Sequence, residues 1–330
     1  MFRFSASVAV WIIAAISVSA APAPKQSRPP IDVGNAERVQ LLGDLPHDAW
    51  RIVWGPKSNE LSLIGWETFI EVLDASTFKP IRKLAADKKL VHFGYSPKNN
   101  LIGWSQNSNG VEVIDLQTGK SVSIETKSRQ PSMAFSPDGK FVATTGYEKE
   151  AKLSEVPSGK MVRAFDIGQS GGLTPVFSPD GQVLAIGNRN EFIRLFDVAT
   201  GKLLHELPRR ESQEIKFSPN GRTLAAGYVD GTVALWNVAD GKLLRSEPTG
   251  AQEVYTLDWS PKGDVLATAG REGRIVLWEP QELKVLKSMD SPEWVIQVRF
   301  SPDGTRLLSA GGRMAQGPER QVAIWGLPER

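Results

Sequence analysis

The sequence predicts an all-β fold, a seven-bladed β-propeller with four antiparallel strands per blade and a ring closed by an N-terminal strand that completes the last blade. The main observation is a turn that recurs along the chain. It occurs as FSPDG at Phe135, Phe177 and Phe300, FSPNG at Phe217, WSPKG at Trp259, YSPKN at Tyr95 and WGPKS at Trp54. The prolines of these turns are separated by 41, 40, 42, 40, 42 and 41 residues. A period of this length and regularity indicates a ring of repeated sheets.

One repeat, residues 214–248, shows why each period predicts four strands. EIKF is an alternating apolar run, and SPNG then supplies a proline, an asparagine and a glycine where a tight turn needs them. TLAAG, TVALWNV and LLRSEP follow as three further strand patterns, separated by the turns YVDG and ADGK. Four short strands cannot bury both faces of their sheet alone, so neighbouring repeats must cover them.

Ring closure is predicted from the two ends of the repeated region. The last repeat ends with AIWGLPER and lacks a fourth strand. QLLGDLP at Gln40 matches KLLHELP at Lys202, which is a fourth strand. We therefore expect residues 39–45 to pair beside residues 322–325, which removes an open sheet edge.

The segment before the propeller has the layout of a secretory signal. Arg3 is basic, residues 6–18 are almost wholly apolar, and Val18, Ser19 and Ala20 form a small-residue cleavage site. The domains are thus a signal peptide at 1–20, a Pro-rich extended tether with little order at 21–37, and the propeller at 38–330. We expect a bacterial protein that is periplasmic or secreted after cleavage, with no stable membrane span, or membrane-anchored if the signal stays uncleaved.

Composition excludes several kinds of chemistry. The chain of 330 residues has a net charge of +2 and 23% charged residues of mixed sign, so no nucleic-acid partner is expected. It has no cysteine, which rules out disulfides, thiol catalysis and zinc–thiolate sites. Its three histidines are scattered, and no nucleophile-elbow, zinc-protease or phosphate-loop motif occurs. We expect no metal, no cofactor and no catalytic residue.

The repeat resembles the WD40 family. The likeness lies in the period, the turn after the first strand and the Leu-Trp ending of third strands, as in DGTVALWNVADG at Asp230 and REGRIVLWEP at Arg271, and it covers residues 38–330. The resemblance implies that Trp236, Trp278 and Trp325 are blade core. The family's Gly-His pair before the first strand is missing, so we expect apolar packing rather than its buried hydrogen-bond network to stabilise the blades.

Candidate binding residues follow the glycine that ends each second strand, on one rim of the ring. They are Trp66, Trp104, Tyr147, Asn188 with its neighbour Arg189, Tyr228, Arg271 and Arg313. Aromatic residues and arginine dominate binding hot spots. The alternative is that these side chains fill space between blades. Trp50 and Trp294, which flank first strands, could belong to either the rim or the core.

These features favour a monomeric, non-catalytic protein-interaction scaffold of the bacterial envelope that binds an unidentified protein on its rim. One alternative is an enzyme resembling propeller lactonases or quinoproteins, with a site at the central channel. Another is a polysaccharide-binding propeller. If His, Glu and Arg gather at the channel mouth within hydrogen-bond reach, the enzyme alternative gains support. Aromatics and arginine on a broad rim would favour binding.

Overall fold

Seven four-stranded antiparallel sheets form the molecule, as the sequence predicts. The computed structural model describes residues 28–45, 49–55, 59–65, 69–85, 90–98, 100–106, 110–126, 131–168, 172–188, 192–209, 211–291, 294–311 and 322–328. Within these ranges, no helix is long and apolar enough to cross a membrane.

Each blade runs from an inner first strand to an outer fourth strand. The first strands are β2 (Arg51–Trp54), β6 (Leu90–Tyr95), β10 (Ser132–Phe135), β14 (Gly172–Phe177), β18 (Ser212–Phe217), β22 (Val254–Trp259) and β26 (Val295–Phe300). The second strands are β3 (Glu60–Ile64), β7 (Leu101–Gln106), β11 (Phe141–Thr145), β15 (Val183–Asn188), β19 (Thr223–Tyr228), β23 (Leu266–Gly270) and β27 (Arg306–Gly311).

The third strands are β4 (Phe69–Asp74), β8 (Gly110–Asp115), β12 (Glu150–Glu155), β16 (Ile193–Asp197), β20 (Thr232–Asn237), β24 (Arg274–Glu279) and β28 (Val322–Gly326). The fourth strands are β5 (Pro80–Ala85), β9 (Ser121–Glu125), β13 (Met161–Asp166), β17 (Leu203–Leu207), β21 (Leu243–Pro248), β25 (Lys284–Asp290) and β1 (Gln40–Leu45). We number the blades 1 to 7 in the order of their first strands, so blade 7 comprises β26, β27, β28 and β1.

The first strands contact one another around a complete ring, from β2 through β26 and back to β2. The apolar core lies between sheets rather than within one. For example, Leu195 of blade 4 packs in one cluster with Ile215 and Leu224 of blade 5. Each blade therefore buries its apolar surface only against its neighbours.

The recurring turn performs two tasks. In blade 3, Ser136 Oγ donates a hydrogen bond to Asp138 Oδ1 at 2.6 Å and accepts one from Phe141 N at 2.9 Å, which fixes the hairpin. Gly221 and Gly263 occupy the same place in later turns, with φ of 71° and 75°, where glycine is favoured. A Cβ on Gly221 would lie 3.3 Å from Pro179 Cδ, and Gly181, Gly263 and Gly304 approach the preceding proline in the same way, so the turns of blades 4 to 7 also rest on the proline of the preceding blade.

Closure of the ring by β1 is confirmed. Leu41 pairs with Trp325 and Leu45 with Val322 in antiparallel register. Leu42 forms a bulge between Leu41 and Gly43, and Leu204 forms the equivalent bulge in β17 of blade 4. The match between QLLGDLP and KLLHELP therefore extends to the irregularity of the strand, because both segments meet a third strand in the same way.

The expectation of little order through residues 21–37 is wrong for residues 28–37, while residues 1–27 lie outside the described part of the chain. Ile31 and Ala36 are buried in one apolar cluster with residues of blades 6 and 7. Ile31 N donates to Gly304 O at 2.9 Å, and Lys287 Nζ donates to Glu37 O at 3.0 Å. Two apolar side chains suffice to dock this segment, although its prolines suggested an extended linker.

The closing strand offers a matched test. Leu45 is 6% exposed and packs against Leu308, Val322 and Ile324, whereas Leu41 on the same strand is 48% exposed. Leu45→Ala should lower the free energy of unfolding by about 2–5 kcal/mol because it leaves a cavity at the ring closure. Leu41→Ala should change it by about 0.5 kcal/mol or less. Urea denaturation measures both, and equal losses would contradict the assigned closure.

Candidate functional site

One face of the ring, here called the front face, carries the starts of the first strands together with the turns between second and third strands. The register places them at the same end, because Val254 pairs with Gly270 and Val295 with Gly311. The opposite or back face carries the repeated SPDG-type turns and the turns between third and fourth strands. The turns vary most between blades on the front face, and variable turns on a rigid scaffold are where binding residues are most often found.

The sequence-predicted rim residues fall into three groups. Trp104, Asn188 and Tyr228 lie within second strands and are buried. Tyr147 is 69% exposed, and the side chain of Arg271 is 43% exposed. Trp66, Arg189 and Arg313 lie outside the described residues.

The burial of Trp104 overturns its expected exposure on the rim. It is 4% exposed and packs with Ile64, Ile70 and Phe93 between blades 1 and 2. Tyr228 is similarly enclosed, since its hydroxyl accepts a hydrogen bond from Trp236 Nε1 and the Arg209 guanidinium covers its ring at 4.1 Å. Trp104 and Tyr228 therefore fill space between blades, as the alternative to rim binding had it.

The three repeat tryptophans lie in the core between blades and keep part of a hydrogen-bond network. Trp278 Nε1 donates to Thr268 Oγ1 and Trp325 Nε1 to Ser309 Oγ, each at 2.9 Å, while Trp236 uses Tyr228. A buried indole N–H requires such an acceptor. Polar links thus join the second and third strands of blades 5 to 7, in addition to the expected apolar packing.

An aromatic and cationic cluster, here called the Trp294 cluster, lies on the front face between blades 6 and 7. The Arg271 guanidinium is 5.2 Å from the centre of the Trp294 ring, and Tyr255 meets Trp294 edge to face at 6.5 Å. Arg271 also pairs with Glu253 at 3.2 Å. Trp294 and Tyr255 are half-buried, so both rings retain accessible surface. Tyr255 is the extra residue of a bulge between Val254 and Thr256, a feature that strand periodicity does not reveal.

A second feature is a ring of polar residues, one from each first strand, around the central axis that the seven first strands enclose, here called the channel. Each stands three residues before the aromatic residue that ends its strand. They are Arg51, His92, Ser132, Thr174, Glu214, Thr256 and Gln297. In the sequence, each of these polar residues stands at a constant distance from the repeated turn. An alignment of the seven repeats would have revealed the ring.

Several of these side chains accept hydrogen bonds from backbone N–H groups on the inner edge of the next blade. Glu214 Oε2 accepts a hydrogen bond from Leu257 N at 3.1 Å, and Thr256 Oγ1 accepts one from Val298 N at 3.1 Å. Gln297 Oε1 accepts one from Ile52 N across the closure of the ring. Because an inner strand has one edge without a strand partner, its N–H groups need other acceptors. Part of the polar ring is therefore structural.

Charge is concentrated on the side of the channel formed by blades 5 to 7. Glu214 pairs with Arg299 at 2.7 Å, and Lys216 lies 3.7 Å from Asp258. Burial raises the pKa of Asp258. Burial would also raise the pKa of Glu214, but the Arg299 and Lys216 charges outweigh it and hold that pKa below its usual value. At the position of Lys216, Asp258 and Arg299, directly before the aromatic residue of the turn, blades 1 to 4 have the uncharged residues Val53, Gly94, Ala134 and Val176.

His92 forms the other centre of the polar ring. Its Nε2 lies 3.0 Å from Ser132 Oγ, and its Nδ1 lies 3.1 Å from Arg51 Nη1. His92 and Arg51 meet here within hydrogen-bond reach, but the glutamate of the channel, Glu214, pairs with Arg299 instead, so the arrangement that would favour an enzyme is present only in part. In addition, a catalytic Ser–His pair needs a base that readily becomes cationic, usually beside a carboxylate. Burial and the Arg51 charge instead hold the pKa of His92 well below its ordinary value, so this imidazole is a poor base.

Comparison with known proteins gives one partial match. A family model described as eukaryotic translation initiation factor eIF2A matches residues 176–275, from the end of β14 into blade 6. This is under a third of the chain. No curated protein matches. Together with the seven blades, the match supports a WD40-type propeller.

The burial difference between two rim candidates can be tested directly. Trp104→Ala should lower the free energy of unfolding by about 3–5 kcal/mol, because it empties the space between blades 1 and 2. Tyr147→Ala, at an exposed position, should cost about 0.5 kcal/mol or less. Urea denaturation compares the two variants, and a Trp104→Ala protein as stable as Tyr147→Ala would refute the burial of this indole.

His92 should make stability depend on pH. The unfolded chain takes up a proton near pH 6.5, and the folded imidazole does so only at lower pH. Between those values the unfolded state binds more protons, so the free energy of unfolding should fall by up to about 1.4 kcal/mol per pH unit as pH is lowered from about 6.5. His92→Gln should remove this slope, and His205→Gln, on an outer strand, should keep it. An unchanged slope in His92→Gln would contradict the prediction.

Proposed function

We propose that this propeller is a non-catalytic scaffold that binds a protein partner on its front face. The supporting observation is the Trp294 cluster, where Arg271, Trp294 and Tyr255 combine an accessible cation with two accessible rings. Arginine, tryptophan and tyrosine are the residues most enriched among binding hot spots. The cluster spans two blades, so a partner would contact a rigid part of the ring.

The charged channel does not by itself favour an enzyme over a scaffold. The Ser132–His92 contact has the Arg51 guanidinium where an acyl-transfer site would need a carboxylate. Glu214 already accepts hydrogen bonds from Leu257 N and from Arg299. Within the described ranges, no group of His, Asp and Glu side chains is arranged to hold a metal ion.

We further propose that the protein acts in a bacterial envelope as a monomer. The basis for the location is the sequence of residues 1–20, with a basic start, an apolar stretch and a small-residue cleavage site. The location would give the front face access to other envelope proteins. If the signal is removed, the protein isolated from cells has the mass of a chain that begins at Ala21.

The binding proposal is tested by affinity capture with the full chain in its own cells. The front-face variant carries Arg271→Ala and Trp294→Ala. A matched control carries Arg306→Ala and Phe78→Ala, because Arg306 covers the Phe78 ring at 4.9 Å on the back face. The wild type and the control should recover the same amount of partner. The front-face variant should recover about tenfold less, or lower still.

The comparison is made on variants shown to be folded by circular dichroism and urea denaturation. Recovery of the partner by the front-face variant at the wild-type level would refute the proposal. Loss in the back-face control alone would move the binding surface to the opposite side of the ring. The mass of the captured chain reports at the same time whether the first twenty residues have been removed.

A further inference from the structure

The charges around the channel do not balance. Arg51, Lys216 and Arg299 carry three positive charges, and Glu214 and Asp258 carry two negative ones. Arg299 is paired with Glu214, and Lys216 Nζ lies 3.7 Å from Asp258 Oδ1. Among the described residues, no carboxylate forms an ion pair with Arg51. A guanidinium that is largely removed from water without a counterion is unfavourable.

The hydrogen-bonding capacity of Arg51 is also unfilled. Its Nη1 and Nη2 approach Nδ1 and Nε2 of His92 at 3.1 and 3.2 Å. A neutral imidazole has only one acceptor nitrogen, so His92 can satisfy one of these two approaches. Arg51 Nε is buried and has no hydrogen-bond partner. At least two of the three guanidinium nitrogens therefore retain an N–H group without an acceptor.

The neighbouring groups suit an oxygen ligand. Ser132 and Thr174 place hydroxyls 3.0 and 3.4 Å from His92 Nε2, the nitrogen that Arg51 Nη2 also approaches at 3.2 Å. Arg51 is the first residue of β2 and therefore lies toward the front face. The Trp50 ring, 5.3 Å from the Arg51 guanidinium, adds an apolar wall at this end of the channel.

We propose that Arg51, with His92, Ser132 and Thr174, forms a carboxylate-binding site in the channel that is entered from the front face. A guanidinium binds a carboxylate through two parallel hydrogen bonds. One carboxylate would also balance the single surplus positive charge, whereas a phosphate, with its higher charge, would leave the channel negative. The site uses the front face only as the side of approach and does not require the proposed protein partner.

The probe is acetate, measured by isothermal titration calorimetry at constant ionic strength, with chloride as the background anion and inorganic phosphate as a competitor. The wild type should bind acetate at one site and in preference to phosphate. Arg51→Met should weaken acetate binding by about tenfold or more, because a charged hydrogen-bonding group is lost. Arg245→Met is the matched control, since Arg245 on the outer strand β21 forms an exposed ion pair with Glu282 in the turn before β25, and this variant should bind like the wild type.

A second variant makes the test independent of how well Arg51→Met folds. Glu214→Gln removes a negative charge from the channel, so it should bind acetate more tightly than the wild type. A capped tripeptide with one glutamate side chain then distinguishes the source of the carboxylate. Binding of both probes supports a site open to a partner's side chain, and binding of acetate alone supports a site for a small free carboxylate.

Three results would overturn the proposal. The first is no acetate binding to the wild type, and the second is equal binding by the wild type and Arg51→Met. The third is weaker or unchanged binding by Glu214→Gln, which would mean that the channel's charge balance does not control the site. A failure of the partner-capture experiment would leave this inference standing, because acetate binding requires no partner.

Discussion

The pairing of β1 with β28 turns a row of seven sheets into a ring, and the interior contacts depend on that closure. Each sheet buries its apolar faces only against its neighbours, so an open ring would expose one face of blade 7 and one of blade 1. The closing contact joins Leu45 to Leu308 and Ile324, while Gln297 reaches across to the backbone of blade 1. The segment before β1 adds Ile31 and Ala36 to the core between blades 6 and 7.

The channel follows from the same geometry. Seven first strands each present an inner edge without a strand partner, and polar side chains from the neighbouring blade satisfy part of it. Glu214 and Thr256 serve the backbone in this way, so their polarity has a structural explanation. Arg51 differs, because within the described part of the chain its guanidinium contacts the His92 ring and its Nε has no acceptor. The propeller architecture does not account for the polarity of Arg51, and the proposed ligand site is therefore centred on this residue.

The sequence was a reliable guide wherever a feature repeated. The spaced prolines predicted seven blades, and the likeness of QLLGDLP to KLLHELP predicted the closing strand and its partner. It was less reliable where blades differ. Trp104 and Tyr147 each follow a glycine that the sequence predicts to end a second strand, but β7 continues past Gly103 to Gln106 while β11 stops at Thr145, so one side chain is buried and the other exposed. The sequence did not predict Tyr255 as a surface residue of the cluster, because strand periodicity does not reveal a bulge. It did not predict the burial of Ile31, because the neighbouring prolines indicated an extended linker.

The docked leading segment also fixes an orientation. Ile31 bonds to Gly304, which belongs to a turn of the back face, and β1 then runs from that face toward the front. The leading segment therefore joins the ring at its back face, on the side opposite to the Trp294 cluster and the channel entrance.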